Sequence, residues 1–280
     1  MEKELEKLIH DALKEDGYDK DITTLAIVDP KKECFGSFIV KSSGVVSGAE
    51  ILKEVYRQIS PKVKVNIVKK DGEYVHKGDV IASITGRMTD ILRGERVALN
   101  FLQKMSGIAS LTDKYVEELK GTNCQILDTR CTTPLLRRFE QDAVVHGGGF
   151  NHRFNLTDQA IVKDYHIASC DGINEAVEKI RKKYDEELTI AVEVSTIEEY
   201  EEALNSDCDV IMLYNMSNEL IEEVCSIPHN GKVIVASGTM TPNRVRSVAI
   251  LGVDYISINS LSHSAKALDV VFKVLKRSYK

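Results

Sequence analysis

Between Asp128 and His166 the chain reads DTRCTTPLLRRFEQDAVVHGGGFNHRFNLTDQAIVKDYH. Arg130, Arg137, Arg138, His152, Arg153, Lys163 and His166 lie in this stretch, with Gly147, Gly148 and Gly149 in its middle. An arginine fork grips carboxylate or phosphate through paired hydrogen bonds, and a lysine acts as a point charge. One arginine alone reads best as a surface ion pair. Several cations placed where apolar runs stop point to a small ligand carrying at least two negative charges. The glycine run permits close backbone approach. It lacks the spacing of a dinucleotide or Walker loop, so it is a weak phosphate signal.

Glu193 is the leading carboxylate, embedded in IAVEVST. Its chemistry fits a metal ligand, a partner for ribose hydroxyls or a balance for the cations, and an ion pair with Lys163 fits equally well. Ser237-Gly238-Thr239 and Ser257, Asn259 and Ser260 each precede a helical pattern. Backbone N–H groups at such places bind phosphate, and Ser or Thr there also serves as an ordinary helix cap. No nucleophile, base and orienting group form a recognisable set. The pieces suit electrostatic stabilisation of a charged transition state.

The elements that must position these residues show in the periodicity. Leu5, Leu8, Ile9 and Leu13 have helical spacing, residues 33–40 read as a strand and 49–59 as a helix. Residues 63–86 read as short strands around turns at Asp71-Gly72 and Gly78-Asp79. Their rhythm resembles a biotinyl or lipoyl carrier, but no lysine sits beside a methionine there, so a sandwich segment is the better reading. A long helix runs from about residue 90 to 119, with Gly107 expected to break or kink it. Apolar strands follow near 125–129, 160–163, 188–194, 209–213, 232–236 and 254–258, alternating with amphipathic helices. The last four recur roughly every 22 residues, the length of a βα unit. Parallel strands buried on both faces suit an α/β barrel or an open doubly wound sheet. In a barrel, chemistry sits at the carboxyl ends of the strands. Asp128 and Arg130, Lys163 and Asp164, Glu193, Tyr214 and Asn215, Ser237 and Gly238, and Ser257 to Asn259 stand there.

The chain has 280 residues with a net charge of −6, so the cationic stretch is a local concentration against an acidic background. That balance argues against a nucleic-acid partner. Six cysteines with no C-x-x-C pair fit reduced thiols in a cytoplasmic protein. The charged, helical start MEKELEKLIHDALKED has no apolar h-region, so no signal peptide is expected, and no apolar run approaches the ~20 residues of a membrane span.

Nearly the whole chain resembles the quinolinate phosphoribosyltransferase family, also called nicotinate-nucleotide pyrophosphorylase (carboxylating). The segments that carry the likeness are EDGYDKDITT, RVALNFLQKMSGIAS, the 128–166 stretch, AVEVSTIEEYEEAL, DVIMLYN, VASGTMTPNRV and GVDYISINSLSHSAKALD. The resemblance implies a type II phosphoribosyltransferase fold. Residues 1–110 would form an α/β sandwich, joined by a C-terminal helix over 267–280, and residues 111–266 an open parallel α/β barrel. It implies homodimers or higher homo-oligomers. It also implies transfer of phosphoribosyl from phosphoribosyl pyrophosphate to quinolinate with loss of CO₂, a step of NAD biosynthesis, with Mg²⁺ bound to the substrate. By position, Arg130, His152, Arg153 and Lys163 resemble the family's base-binding and catalytic cations, and Arg96 the arginine donated by a neighbouring subunit. Glu193 resembles the acid facing ribose and metal. Ser237, Gly238, Ser257 and Asn259 resemble the phosphate site.

The departures are specific. Cys131 stands where the motif D-T-R-K-T-T-P-G has lysine, and Leu135 where it has glycine. Gln141 replaces a second lysine, Tyr165 an asparagine, Tyr214 the aspartate of M-L-D-N, and Thr239 a loop glycine. Each lost charge-assisted hydrogen bond is worth roughly 1.5–3 kcal/mol. Most losses fall on the phosphoribosyl side, while the cations for the base remain. Three readings stay open at this point. One is the family reaction, another a diverged enzyme with a changed base, donor or reaction, and the last a catalytically weak paralogue that binds a pyridine carboxylate.

Overall fold

The computed structural model describes residues 3–184 and 187–275. Along the chain come α1 (Lys3–Glu15), α2 (Ile22–Ile27), β1 (Glu33–Val40), β2 (Gly44–Val45), α3 (Ala49–Ile59), β3 (Lys64–Ile67), β4 (Tyr74–Val75), β5 (Val80–Arg87) and α4 (Met88–Glu118). Then follow β6 (Gln125–Leu127), α5 (Arg137–His146), β7 (Ala160–Val162), α6 (Asp164–Ile167), α7 (Ile173–Lys183), β8 (Ile190–Val194), α8 (Ile197–Asn205) and β9 (Val210–Tyr214). The described residues end with α9 (Asn218–Ser226), β10 (Val233–Ser237), α10 (Pro242–Ala249), β11 (Tyr255–Ser257), α11 (Ser260–His263) and β12 (Val270–Leu275).

Two compact units result. One takes the described residues of Met1–Leu111, Pro134–Gly148 and Ser264–Lys280, the other those of Thr112–Thr133 and Gly149–His263. In the first unit an antiparallel sheet of order β12-β1-β5-β3 is joined by a small β2-β4 pair. The apolar face of α1 buries Ile9 and Leu13 completely, each contributing about 1.5–3 kcal/mol. Phe38 of β1 packs on Tyr56 of α3 and on Phe272 of β12, with ring centroids 6.4 and 5.1 Å apart.

Three expectations are corrected in this unit. The segment from 267 is a strand, not a helix: Val270–Leu275 pairs antiparallel with β1, Phe38 opposite Phe272. β12 covers what would be an open edge of β1, and its β-branched and aromatic residues suit that place. Residues 276–280 lie outside the described residues. Gly107 does not break α4, which runs unbroken through it. A Cβ there would collide with the carbonyl of Lys266 and crowd Cα of Ala267, so the glycine admits a crossing backbone. Residues Pro134–Gly148, placed by sequence in the barrel, cluster with the N-terminal unit instead.

The second unit is the parallel α/β layer that the alternating strands predict. Its six strands run β6-β11-β10-β9-β8-β7, so the first strand neighbours the last. Backbone around Phe150 bridges in parallel to Leu127 on the other side of β6. Leu127, Ala191, Met212 and Val235 form the buried centre, with Ile161, Val210, Val233 and Tyr255 packed on it. Asp209 and Asp254, each just before a strand, accept hydrogen bonds from Ile190 N and Ile234 N of the neighbouring strands, both 2.8 Å. These bonds fix register, and register decides which strand-end residues meet.

Candidate active site

Lys163 follows β7 directly, and Glu193 is the fourth residue of β8. Val162 pairs with Val192, so the next residue of each strand lies side by side. Lys163 Nζ donates to Glu193 Oε2 at 2.8 Å. The side chains keep 31% and 13% of their exposure, enough for a substrate to reach the pair.

A second group gathers beyond β6. Asp128 is buried, and its Oδ1 accepts from the backbone of His152 at 2.6 Å. The Arg153 backbone N–H donates to His152 Nδ1 at 2.7 Å. That bond leaves the imidazole proton on Nε2. Burial pushes the His152 pKa down to about 4, with the Arg153 and Arg130 charges adding to the effect. The ring is therefore a neutral donor at physiological pH. Arg153 is held by its Nη1 to the Gln159 carbonyl at 2.7 Å. Burial and the nearby Arg130 lower its pKa, while Tyr165 and Asp158 raise it. Among the described residues, its buried Nε meets no hydrogen-bond acceptor. His166 Nδ1 accepts from Lys163 N at 3.0 Å and its ring packs edge-on against Tyr165, centroids 4.4 Å apart, which gives it a local structural role.

A cavity of about 270 Å³ opens past the ends of β9, β10 and β11. Tyr214, Asn215, Gly238, Thr239, Asn259 and His263 are among its lining residues. This places Gly238 and Asn259 together, along with the departures Tyr214 and Thr239. Ser237 ends β10 half-buried, its carbonyl taken by Asn215 N. Ser257 is different from expectation: it is the last ladder residue of β11, only 4% exposed, and it does not line the cavity. Its neighbour Ser260 does.

The remaining residues divide plainly. Cys131 is exposed, its backbone N–H donating to Thr129 Oγ1 at 3.1 Å. Gln141 is buried in α5 of the N-terminal unit and stands on no barrel strand. In the same unit Arg138 pairs with Asp142 and His146 bonds Ser47, so each already has a local role. Arg96 is exposed on α4 and makes no ion pair or hydrogen bond among the described residues. No group of three or more His, Cys, Asp or Glu among the described residues could hold a metal ion. Glu193, the sequence candidate, is tied to Lys163. These residues do not fit a protein-held metal.

Family models for the N-terminal and C-terminal domains of quinolinate phosphoribosyl transferase match residues 21–106 and 108–273. The chain belongs to this family. A probable nicotinate-nucleotide pyrophosphorylase (carboxylating) of Bacillus subtilis is 38% identical over 97% of this chain and 93% of its own length. The chloroplastic enzyme of that name from Arabidopsis thaliana is 36% identical, over 97% and 83%. The crystal structure of NadC from Streptococcus pyogenes superposes with a TM-score of 0.92 at 38% identity, covering 96% of each chain. The quinolinate phosphoribosyltransferase fold accounts for both units, including the parallel layer whose strand ends carry the site.

The strand-end pattern already brought Asp128 and Asn215 into view, but it assigned neither a role, and it did not point to Arg244. For Asp128 the signal was an acid ending an apolar run. Nothing in the sequence marked Arg244, whose partners are the Thr239 and Met216 carbonyls and the Asn218 side chain.

Proposed function

We propose that this chain transfers the phosphoribosyl group of phosphoribosyl pyrophosphate to the ring nitrogen of quinolinate. Release of CO₂ and pyrophosphate then yields nicotinate mononucleotide, a step of NAD biosynthesis. The observation that carries the reading is the cationic cluster at Arg130, His152 and Arg153, in which the Arg153 Nε has no acceptor among the described residues. Two guanidinium groups around a neutral imidazole donor are built for an anion. A pyridine dicarboxylate supplies two carboxylates and a flat ring.

The chemistry follows from charge. Lys163 and the arginines hold the dicarboxylate and orient its ring nitrogen. Positive charge develops at the anomeric carbon as pyrophosphate leaves, and Glu193 is the nearby carboxylate that favours it. The pyridinium product then stabilises the carbanion formed when the 2-carboxylate departs. Magnesium arrives with the diphosphate as part of the substrate.

Arg96, exposed on α4, is the arginine we assign to a neighbouring subunit's site in a homo-oligomer. No described helix is long and apolar enough to cross a membrane, and a cytoplasmic setting fits the reduced cysteines.

The test is turnover. Purified protein with quinolinate, phosphoribosyl pyrophosphate and Mg²⁺ should release CO₂ and mononucleotide, and Arg153→Met should raise the quinolinate KM at least tenfold, as loss of a charge-assisted contact implies. Protein that binds quinolinate without turning it over would exclude this reaction. The exposed Cys131 and Tyr214 favour a second reading, a diverged donor. Gain of turnover on Cys131→Lys with Tyr214→Asp would support that reading instead.

A further inference from the structure

The turns after β9 and β10 close the cavity, and both are gripped by side chains bonded to backbone. Asn215 adopts the left-handed conformation, φ 52°, which asparagine tolerates better than most residues. Its Oδ1 accepts from Thr239 N at 3.1 Å, and its own N–H donates to the Ser237 carbonyl at 3.0 Å. Gly238 lies between them at φ 114°, and a Cβ there would collide with the Asn215 amide oxygen. From α10, Arg244 donates through Nη1 to the Thr239 carbonyl at 3.0 Å and through Nη2 to the Met216 carbonyl. The Thr239 peptide is thus held at its N–H by one turn and at its carbonyl by Arg244. Neither Asp nor Glu is among the lining residues of the cavity.

We propose that Asn215 and Arg244 are positioning residues for the donor's phosphate, clamping the 238–240 turn in the one arrangement that recognises a phosphate ester. Aspartate at 215 would tolerate the same backbone and accept the same bond from Thr239. Only the amide does so without placing a negative charge in an anion cavity. Arg244 completes the clamp by donating to two backbone carbonyls, which holds the turn rigid, and it is not itself among the lining residues of the cavity. The inference rests on the phosphoribosyl-transfer reading and deepens it.

The experiment compares Asn215→Gly, Arg244→Met and Asn215→Asp with wild type. Glycine keeps the left-handed backbone and removes only the clamp. In Asn215→Gly and Arg244→Met the KM for phosphoribosyl pyrophosphate should rise about tenfold, the scale of one lost hydrogen bond, with kcat and the quinolinate KM within about twofold. Asn215→Asp should keep the wild-type Tm yet raise the donor KM, most strongly at low salt, where charge repulsion is least screened. Equal rises in both KM values, or a lower Tm with an unchanged donor KM, would reduce both residues to general stability and overturn the proposal. If wild type shows no turnover, the reaction reading fails separately. Calorimetric titration with ribose 5-phosphate then decides the inference. Weaker binding by the variants upholds it; equal affinity, or no binding by wild type, overturns it.

Discussion

Lys163 and Glu193 meet at 2.8 Å because the β7–β8 register sets residue 163 beside residue 193. Each side chain neutralises the other until substrate arrives, so their contributions are coupled. Lys163→Met and Glu193→Gln should each lower kcat for CO₂ release by at least about a hundredfold, the usual scale for a preorganised electrostatic group. The double variant should be little worse than the poorer single. Initial rates of all three would show it, and losses that simply multiply would mean the residues act independently.

His152 makes stability depend on pH. Its folded pKa of about 4 lies below the ordinary value of 6.5, chiefly through burial. Between those values the unfolded chain binds the extra proton, so acid favours unfolding. The stabilisation is complete above about pH 6.5 and is lost as pH falls towards 4, on the order of 3 kcal/mol in all. Urea unfolding from pH 7 to 4 should show this slope in wild type and a flatter one in His152→Asn. Parallel curves would refute the assignment.

Leu135 stands at φ 67° with 86% of its surface exposed. A left-handed L-residue costs about 1–2 kcal/mol, and this side chain recovers little by burial. Glycine is free of that strain but loses more chain entropy on folding. Leu135→Gly should therefore raise stability by about 0.5–1 kcal/mol, while Leu135→Ala, which keeps Cβ, should not. Thermal unfolding of the pair separates backbone strain from side-chain effects.

Gly107 reverses a common rule. Alanine for glycine inside a helix ordinarily gains up to about 1 kcal/mol. Here the new methyl group would strike backbone atoms of Lys266 and Ala267, which cannot rotate away. Gly107→Ala should cost about 1–3 kcal/mol, as overpacking does, read as a lower urea midpoint. A rise in the midpoint would show that the 266–267 segment yields.

Much of the frame was legible because its signals are local. The strand at 33–40 and the helix at 49–59 agree with β1 and α3 residue for residue, and all six barrel strands fall where apolar runs end at polar residues. The helix expected over 267–280 failed because VVFKVL suits either period, and only pairing with β1 settles it. Gly107 misled for a similar reason: a glycine that permits contact looks in sequence like one that breaks a helix. Gln141 and Ser257 were placed by motif position, and the fold buries one in the N-terminal unit and the other in a ladder.

What the sequence alone determined is the inventory: a family, an anion-seeking set of Arg130, Arg153 and Lys163, and the substitutions at Cys131, Tyr214 and Thr239. Periodicity and composition are properties of neighbours along the chain, so they are readable without coordinates. What the tertiary structure decided is pairing. Register joined Lys163 to Glu193, burial left His152 neutral, and two turns distant in sequence locked together through Asn215 and Arg244. Those outcomes depend on distances between residues far apart along the chain, which no local pattern encodes.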